Sequence, residues 1–241
     1  MAPQAPTAPV DRVLVVTAHP DDVDFGSGGS IASWTDAGIE VAYCICTSGE
    51  AGGFDAAMPR PAMAELREAE QRAAGKVLGV TDLTFLGYPD GRLQSTIELR
   101  RDISRVIRRV RPQRVVCQSP DRIYQRIYAS HPDHLAAGDA ALSAVYPDAR
   151  NPFAHPELLD EGWEPWSVDE VFMMAAPNAD THVDITGSID RKIEALRAHD
   201  SQHPDPEGLD ERIRAWGAMT AQSAGLPDGT YAEGFLRIDT A

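Results

Sequence analysis

The sequence predicts an α/β fold: a Rossmann-like, mostly parallel sheet with helices on both faces, built as a single domain. Three observations carry this. Apolar runs of strand length alternate with amphipathic segments of helix length, the pattern of βαβ units. The 241 residues are 43% hydrophobic and 24% charged, ordinary values for a chain that buries a core. No linker-like tract or internal repeat divides the chain, so residues 11–241 read as one domain, preceded by a Pro- and Ala-rich flexible arm at residues 1–10.

The elements follow in order. Residues 13–18 (VLVVTA) form the first strand, then come a Gly-rich turn and a helix from about residue 27 to 37. Residues 40–47 are the second strand, followed by a long helix through 63–78, and residues 83–86 are a short third strand. Residues 95–110 place Leu99, Ile103, Val106, Ile107 and Val110 on one helical face, with Arg100, Arg101, Arg105, Arg108 and Arg109 on the other. Without interleaved aromatics this basic stretch reads as a solvated helix face and not as a nucleic-acid contact. Residues 115–118 form the fourth strand, and a helix spans about 135–145. Residues 146–167 are long for a connection and read as a substrate-side loop, with Trp163 and Trp166 as stacking surfaces. Residues 170–176 are a fifth strand, 189–198 a helix and 231–238 a closing strand.

Charge and cysteine content bound the function. With 22 Lys+Arg against 37 Asp+Glu the net charge is −15, which repels phosphate backbones and anionic lipid surfaces. Nucleic acid and membrane are therefore excluded as expected partners, and a small neutral or cationic substrate fits. No apolar run approaches the roughly 20 residues of a spanning helix, and the first residues lack the basic and apolar regions of a signal peptide. The three cysteines, Cys44, Cys46 and Cys117, lie in apolar strand-like runs, so a reducing compartment, the cytoplasm, is expected. Cys44 and Cys46, at period two, share one face and fill core. Whether the chain forms a homo-oligomer is left open by the sequence.

In open parallel sheets, ligands bind outside the carboxyl ends of the strands, which selects residues 18–24, 48–53, 87–92 and 119–134. The first segment reads Ala18-His19-Pro20-Asp21-Asp22, and the fourth ends His131-Pro132-Asp133-His134. Adjacent carboxylates at a dry strand end are costly unless a cation compensates them. A catalytic zinc takes three imidazole or carboxylate ligands and keeps one open position. His19, Asp22 and one histidine of the second motif supply such a set, with Asp21 beside it. The same residues can serve as helix caps, but two such motifs after different strands at one sheet edge favour the metal site. Gly26-Ser27-Gly28-Gly29-Ser30-Ile31 fails the dinucleotide spacing at Ile31, and no G-x-S-x-G elbow is present.

These two histidine motifs, in this order, resemble the LmbE-like (PIG-L) family of zinc-dependent N-deacetylases, which act on N-acetylglucosaminyl compounds. Further matches are Thr47-Ser48-Gly49-Glu50, Arg67-x-x-Glu70 with Leu78-Gly79, Tyr88-Pro89-Asp90-Gly91, and Lys192 through His199-x-Ser201-Gln202. The resemblance implies that His19, Asp22 and His134 hold zinc, that Asp21 is the general base, and that His131 stabilises the oxyanion or helps protonate the leaving amine. It implies a hydrolase that removes acetyl from an N-acetylglucosamine-type sugar or conjugate by metal-activated water. The alternatives are an amidase of the same family cleaving a larger amide of an amino-sugar thiol conjugate, and a non-catalytic metal- or sugar-binding module. Iron or cobalt would suit the same ligands.

Asp133 is expected to orient His131 from behind and raise its pKa. Glu50, Arg67 and Asp90 match family positions at the rim or floor of the substrate pocket. Arg67 reads equally as an i,i+3 partner of Glu70, and Asp90 as a turn residue. His199, near a helix C-terminus, reads as structural. Some family members have a tyrosine two positions before the first histidine of the second motif. Here Ala129 stands there and Tyr128 one position earlier.

Overall fold

The structure, a computed structural model, describes residues 9–203 and 207–241, so most of the expected N-terminal arm lies outside the described residues. Strands β1 (Arg12–Thr17), β2 (Glu40–Thr47), β3 (Asp82–Tyr88), β4 (Arg114–Gln118), β5 (Glu170–Met174), β6 (Thr181–Asp184) and β7 (Ala232–Asp239) form one sheet in the order β3-β2-β1-β4-β5-β7-β6. The first five are parallel, and β7 runs antiparallel to both β5 and β6. The helices are α1 (Asp22–Asp36), α2 (Arg60–Val77), α3 (Ile97–Val110), α4 (Pro132–Ser143), α5 (Glu157–Asp160), α6 (Ile189–Arg197) and α7 (Glu207–Ser223). Among the described residues, no helix is long and apolar enough to cross a membrane.

Alternation along β1 builds two cores. Leu14 and Val16 join Leu99, Ile103 and Ile107 of α3 and Ala137, Ala140 and Ala141 of α4. Val13 and Val15 join Ile31 and Ala32 of α1, Ala74 of α2 and Ala195 of α6 on the other face. Cys44, Cys46 and Cys117 are unpaired and buried in the first of these cores, as the apolar runs around them predict.

Four expectations change. Helix α1 starts at Asp22 and not near residue 27: the Asp21 carbonyl accepts from the N–H groups of Asp24 (2.9 Å) and Phe25 (3.0 Å). The Gly-rich run thus lies inside a helix, at a cost in propensity, because packing requires it. A Cβ on Gly29 would sit 2.8 Å from Ile185 side-chain atoms. Helix α4 likewise begins three residues early, at Pro132, the first-turn position where a missing N–H costs nothing. Strand β6 and helix α7 were not legible in the sequence.

The fourth change concerns residues 146–167. Helix α4 leaves the carboxyl edge of the sheet and runs back, so the chain that follows it lies at the amino edge, away from any substrate. Trp166 Nε1 donates to the Pro112 carbonyl at 2.7 Å, just ahead of β4. Arg108, placed by periodicity on the solvated face of α3, is buried instead. Its guanidinium donates to the carbonyls of Ala149, Asp148, Asn151, Ala154 and Trp163 at 3.0–3.3 Å. Neither Trp163 nor Trp166 is a substrate platform. Other arginines of α3 pair with Asp148, Glu161 and Asp82. Arg108→Met leaves buried carbonyls unpaired and is expected to lower unfolding free energy by about 2–4 kcal/mol with kcat retained, read by denaturant titration.

Candidate active site

The chain after β1 enters α1 on one face of the sheet, and the chain after the neighbouring β4 enters α4 on the other. The crevice opened by that divergence is where α/β sheets bind ligands, and both histidine motifs fall in it.

Asp21 is a non-glycine residue in the left-handed region, at φ 84°, which costs about 1–3 kcal/mol and persists only where the surroundings enforce it. The enforcing groups sit on one face of α2, four residues apart. Gln71 Oε1 accepts from the Asp21 N–H at 2.7 Å. Arg67 donates through Nη2 to the Pro20 carbonyl (2.8 Å) and to Asp21 Oδ2 (3.3 Å), and through Nη1 to the Gly49 carbonyl (2.8 Å). Gly49 is glycine for two reasons: φ is 68°, and a Cβ would lie 2.3 Å from Arg67 Nη1. The alternative i,i+3 pairing of Arg67 with Glu70 is set aside, because Glu70 accepts from the Ser201 N–H and hydroxyl at 2.8 and 2.7 Å.

Asp22 bridges two imidazoles, with Oδ2 3.2 Å from His19 Nδ1 and Oδ1 3.0 Å from His134 Nε2. The other nitrogen of His19 meets Asp90 Oδ1 (3.1 Å) and Asp133 Oδ2 (3.3 Å). Asp133 is fixed by the Gly91 N–H at 2.7 Å and the Leu93 N–H at 3.3 Å, and Asp90 by the Ala51 N–H at 2.9 Å. Asp133 therefore supports His19 and not His131. His131 caps α4, its Nδ1 accepting from the Asp133 backbone N–H at 3.2 Å. Burial, reinforced by the charges of His19 and His134, lowers the His131 pKa and outweighs the upward pull that the Asp133 charge exerts as expected.

Arg67 and Asp90 line the cavity. The Glu50 carboxylate instead accepts from the Asp90 N–H at 2.8 Å, tying the turn after β3 to the one after β2, and it stands outside the cavity wall. Ala129 lines the cavity, whereas the Tyr128 side chain lies outside the described residues.

Sequence reasoning missed the network behind Asp21. Asp24 Oδ2 accepts from Gln71 Nε2 and meets His199 Nε2, both at 2.8 Å, and His199 is fully buried. His199 is thus held by a carboxylate and not by a helix dipole. The 67/71 spacing on α2 was the available signal.

Electrostatics divides the two adjacent carboxylates. Burial and the neighbouring Asp22 charge push Asp21 up to about 7, against Arg67, His199 and His19. Asp22 falls well below the usual range, because the two histidines outweigh its burial. His19 shows why the cluster wants a cation. Burial pushes its pKa down, yet hydrogen bonds to Asp133 and Asp22, the Asp22 charge and Asp90 raise it to about 12. Three carboxylates around one imidazole call for positive charge, either a proton or a metal ion. Nitrogens of His19, His131 and His134 lie within 4.8 Å of one another, as do the ligand atoms of His19, Asp90 and Asp133. With Asp22 between His19 and His134, this donor set fits a divalent cation such as zinc.

The site occupies one end of a cavity of about 1110 Å³ that extends to α7. Residues 14–145 match the PIG-L family, described as GlcNAc-PI de-N-acetylase. A diacetylchitobiose deacetylase from Thermococcus kodakarensis is 34% identical over 196 residues, 81% of this chain and 72% of that protein. A probable N-acetyl-alpha-D-glucosaminyl L-malate deacetylase 2 from Bacillus anthracis is 31% identical over 79% of this chain and 81% of its own. The N,N'-diacetylchitobiose deacetylase from Pyrococcus horikoshii superposes with a TM-score of 0.87 at 30% identity, covering 96% of this chain and 85% of that one. With a family match over more than half its length and a relative 34% identical over 81% of it, the chain belongs to the PIG-L family.

Proposed function

We propose that this chain is a divalent-metal-dependent N-deacetylase that removes acetyl from an N-acetylglucosamine-type amino sugar, free or conjugated, with Asp21 as general base. The observation that carries this is the division of labour between neighbours. Asp22 stays ionised between His19 and His134, while Asp21, one residue away, is held with a pKa near neutrality. That is the pairing amide hydrolysis at neutral pH needs.

His19 through Nδ1, Asp22 and His134 would hold zinc, leaving the Nε2 side of His19 to Asp133 and Asp90, as ligating histidines are usually supported. Zinc in that position supplies acidity to a water and polarises the amide carbonyl. Asp21 takes a proton from the attacking water, whose oxygen adds to the carbonyl carbon. The C–N bond then breaks as Asp21 passes that proton to the amine nitrogen, releasing acetate and the free amino sugar. His131, whose Nδ1 is occupied as an acceptor, presents Nε2–H as the donor to the developing oxyanion. Arg67 keeps Asp21 aimed. The buried, unpaired thiols support a reducing compartment such as the cytoplasm.

The test is acetate release across a panel of N-acyl amino sugars, with and without chelator. Release from N-acetyl sugars that the chelator abolishes is expected. Turnover of larger amides alone would point to the amidase reading, and a metal-loaded chain without turnover to a binding module. The pH dependence follows from Asp21: only its ionised form accepts a proton, so kcat/KM falls as pH drops through its pKa. That value is about 7 without the ion, and an adjacent cation lowers it. The midpoint of the acid limb is therefore expected at or below about 7 in a pH 5–9 profile. Activity that rises on acidification would remove Asp21 from the role.

A further inference from the structure

We propose that the far half of the cavity is a subsite for an uncharged aglycone with an apolar face, and that the Trp216 indole is its platform. The inference rests on the amino-sugar deacetylase reading and names the class of conjugate. A cavity of about 1110 Å³ exceeds the usual range for a drug-sized ligand, and one hexosamine fills only a part of it. The remainder lies between the segment after β5 and the face of α7 on which Ile213, Trp216 and Thr220 repeat at helical spacing, with Ile185 and Ile189 opposite.

Trp216 and Met219, three residues apart, are 47% and 63% exposed, an unusual investment of large apolar side chains in solvent-facing surface beside a catalytic cavity. An indole face suits the apolar face of a pyranose or an aryl ring. Charge argues against an anionic aglycone. Of the lysines and arginines that line the cavity among the described residues, Arg67 pairs with Asp21 and Lys192 with Glu233, and Arg126 belongs to the turn leading into His131. Among the described lining residues α7 itself contributes no lysine or arginine, and the ionisable ring beside it is that of His182 on β6.

The experiment compares kcat/KM for N-acetylglucosamine, N,N'-diacetylchitobiose, the phenyl β-glycoside of N-acetylglucosamine and its L-malate conjugate, in wild type, Trp216→Ala and Met219→Ala. Either uncharged conjugate is expected to exceed the free sugar, and Trp216→Ala is expected to cut that ratio about five- to tenfold, chiefly through KM. Whichever of the two gains more identifies a second sugar or an aryl group as the better occupant. A ratio unmoved in both variants, or preference for the malate conjugate, overturns the subsite. If no sugar releases acetate, the deacetylase reading falls, and the subsite is then judged by binding. Quenching of tryptophan fluorescence by the phenyl glycoside, lost in Trp216→Ala, upholds it, and absence of quenching in the wild type removes it.

Discussion

Asp21→Asn is expected to lower kcat by about 10²–10⁴-fold while the chain keeps its fold and one divalent ion. Asparagine matches aspartate in shape and is among the few side chains that tolerate the left-handed backbone at φ 84°, so the substitution removes proton-accepting capacity without strain. Alanine at the same position would mix the two effects. The Asp22 carboxylate, which bridges His19 and His134, is untouched, so metal affinity survives. Losing the like charge beside Asp22 also relieves repulsion, and the thermal midpoint is expected to hold or rise. Acetate release, metal content by elemental analysis and a thermal melt decide it together. A variant within threefold of wild type would take the base role from Asp21.

Metal removal is expected to abolish turnover, with recovery on adding zinc, and metal uptake to release protons. In the metal-free chain His19 holds its proton against three carboxylates, with a pKa raised to about 12. An ion bound through Nδ1 needs that ring neutral, so loading displaces a proton and apparent affinity rises with pH across the neutral range. Calorimetric titration in buffers of different ionisation enthalpy reads the proton count. Above about pH 8, where Asp21 is already ionised, about one proton per ion is expected, and His134→Ala should lose both the ion and the activity. Proton-neutral binding would mean that His19 is not a ligand.

The sheet, its helices on both faces and the two histidine motifs were legible because each leaves a local trace: period-two and helical patterning, and reactive residues just past strand ends. What was not legible depends on partners distant in sequence. Gly26 to Gly29 read as a turn because only Met174, Lys192 and Ile185, far along the chain, explain glycine in a helix. Asp133 read as the partner of the adjacent His131, yet its carboxylate faces His19, 114 residues away. Trp163 and Trp166 read as stacking surfaces because an aglycone with an apolar face favours an aromatic one. Helix direction placed them at the wrong edge, while Trp216 sat on a helix whose weak patterning hid it.

The cavity joins two parts of the chain that the family match divides. Its chemical end is drawn from residues 19–134, inside the segment matched to the family, and its other wall from residues 174–234, beyond the point where that match stops at 145. The antiparallel annex of β6, α7 and β7 contains none of the proposed metal ligands and not the proposed base, and its Glu233, which accepts from the Gly29 and Ser30 N–H groups of α1, is the residue to keep when the annex is redrawn. Grafting that annex between relatives is a direct route to moving substrate choice while keeping the hydrolytic machinery intact.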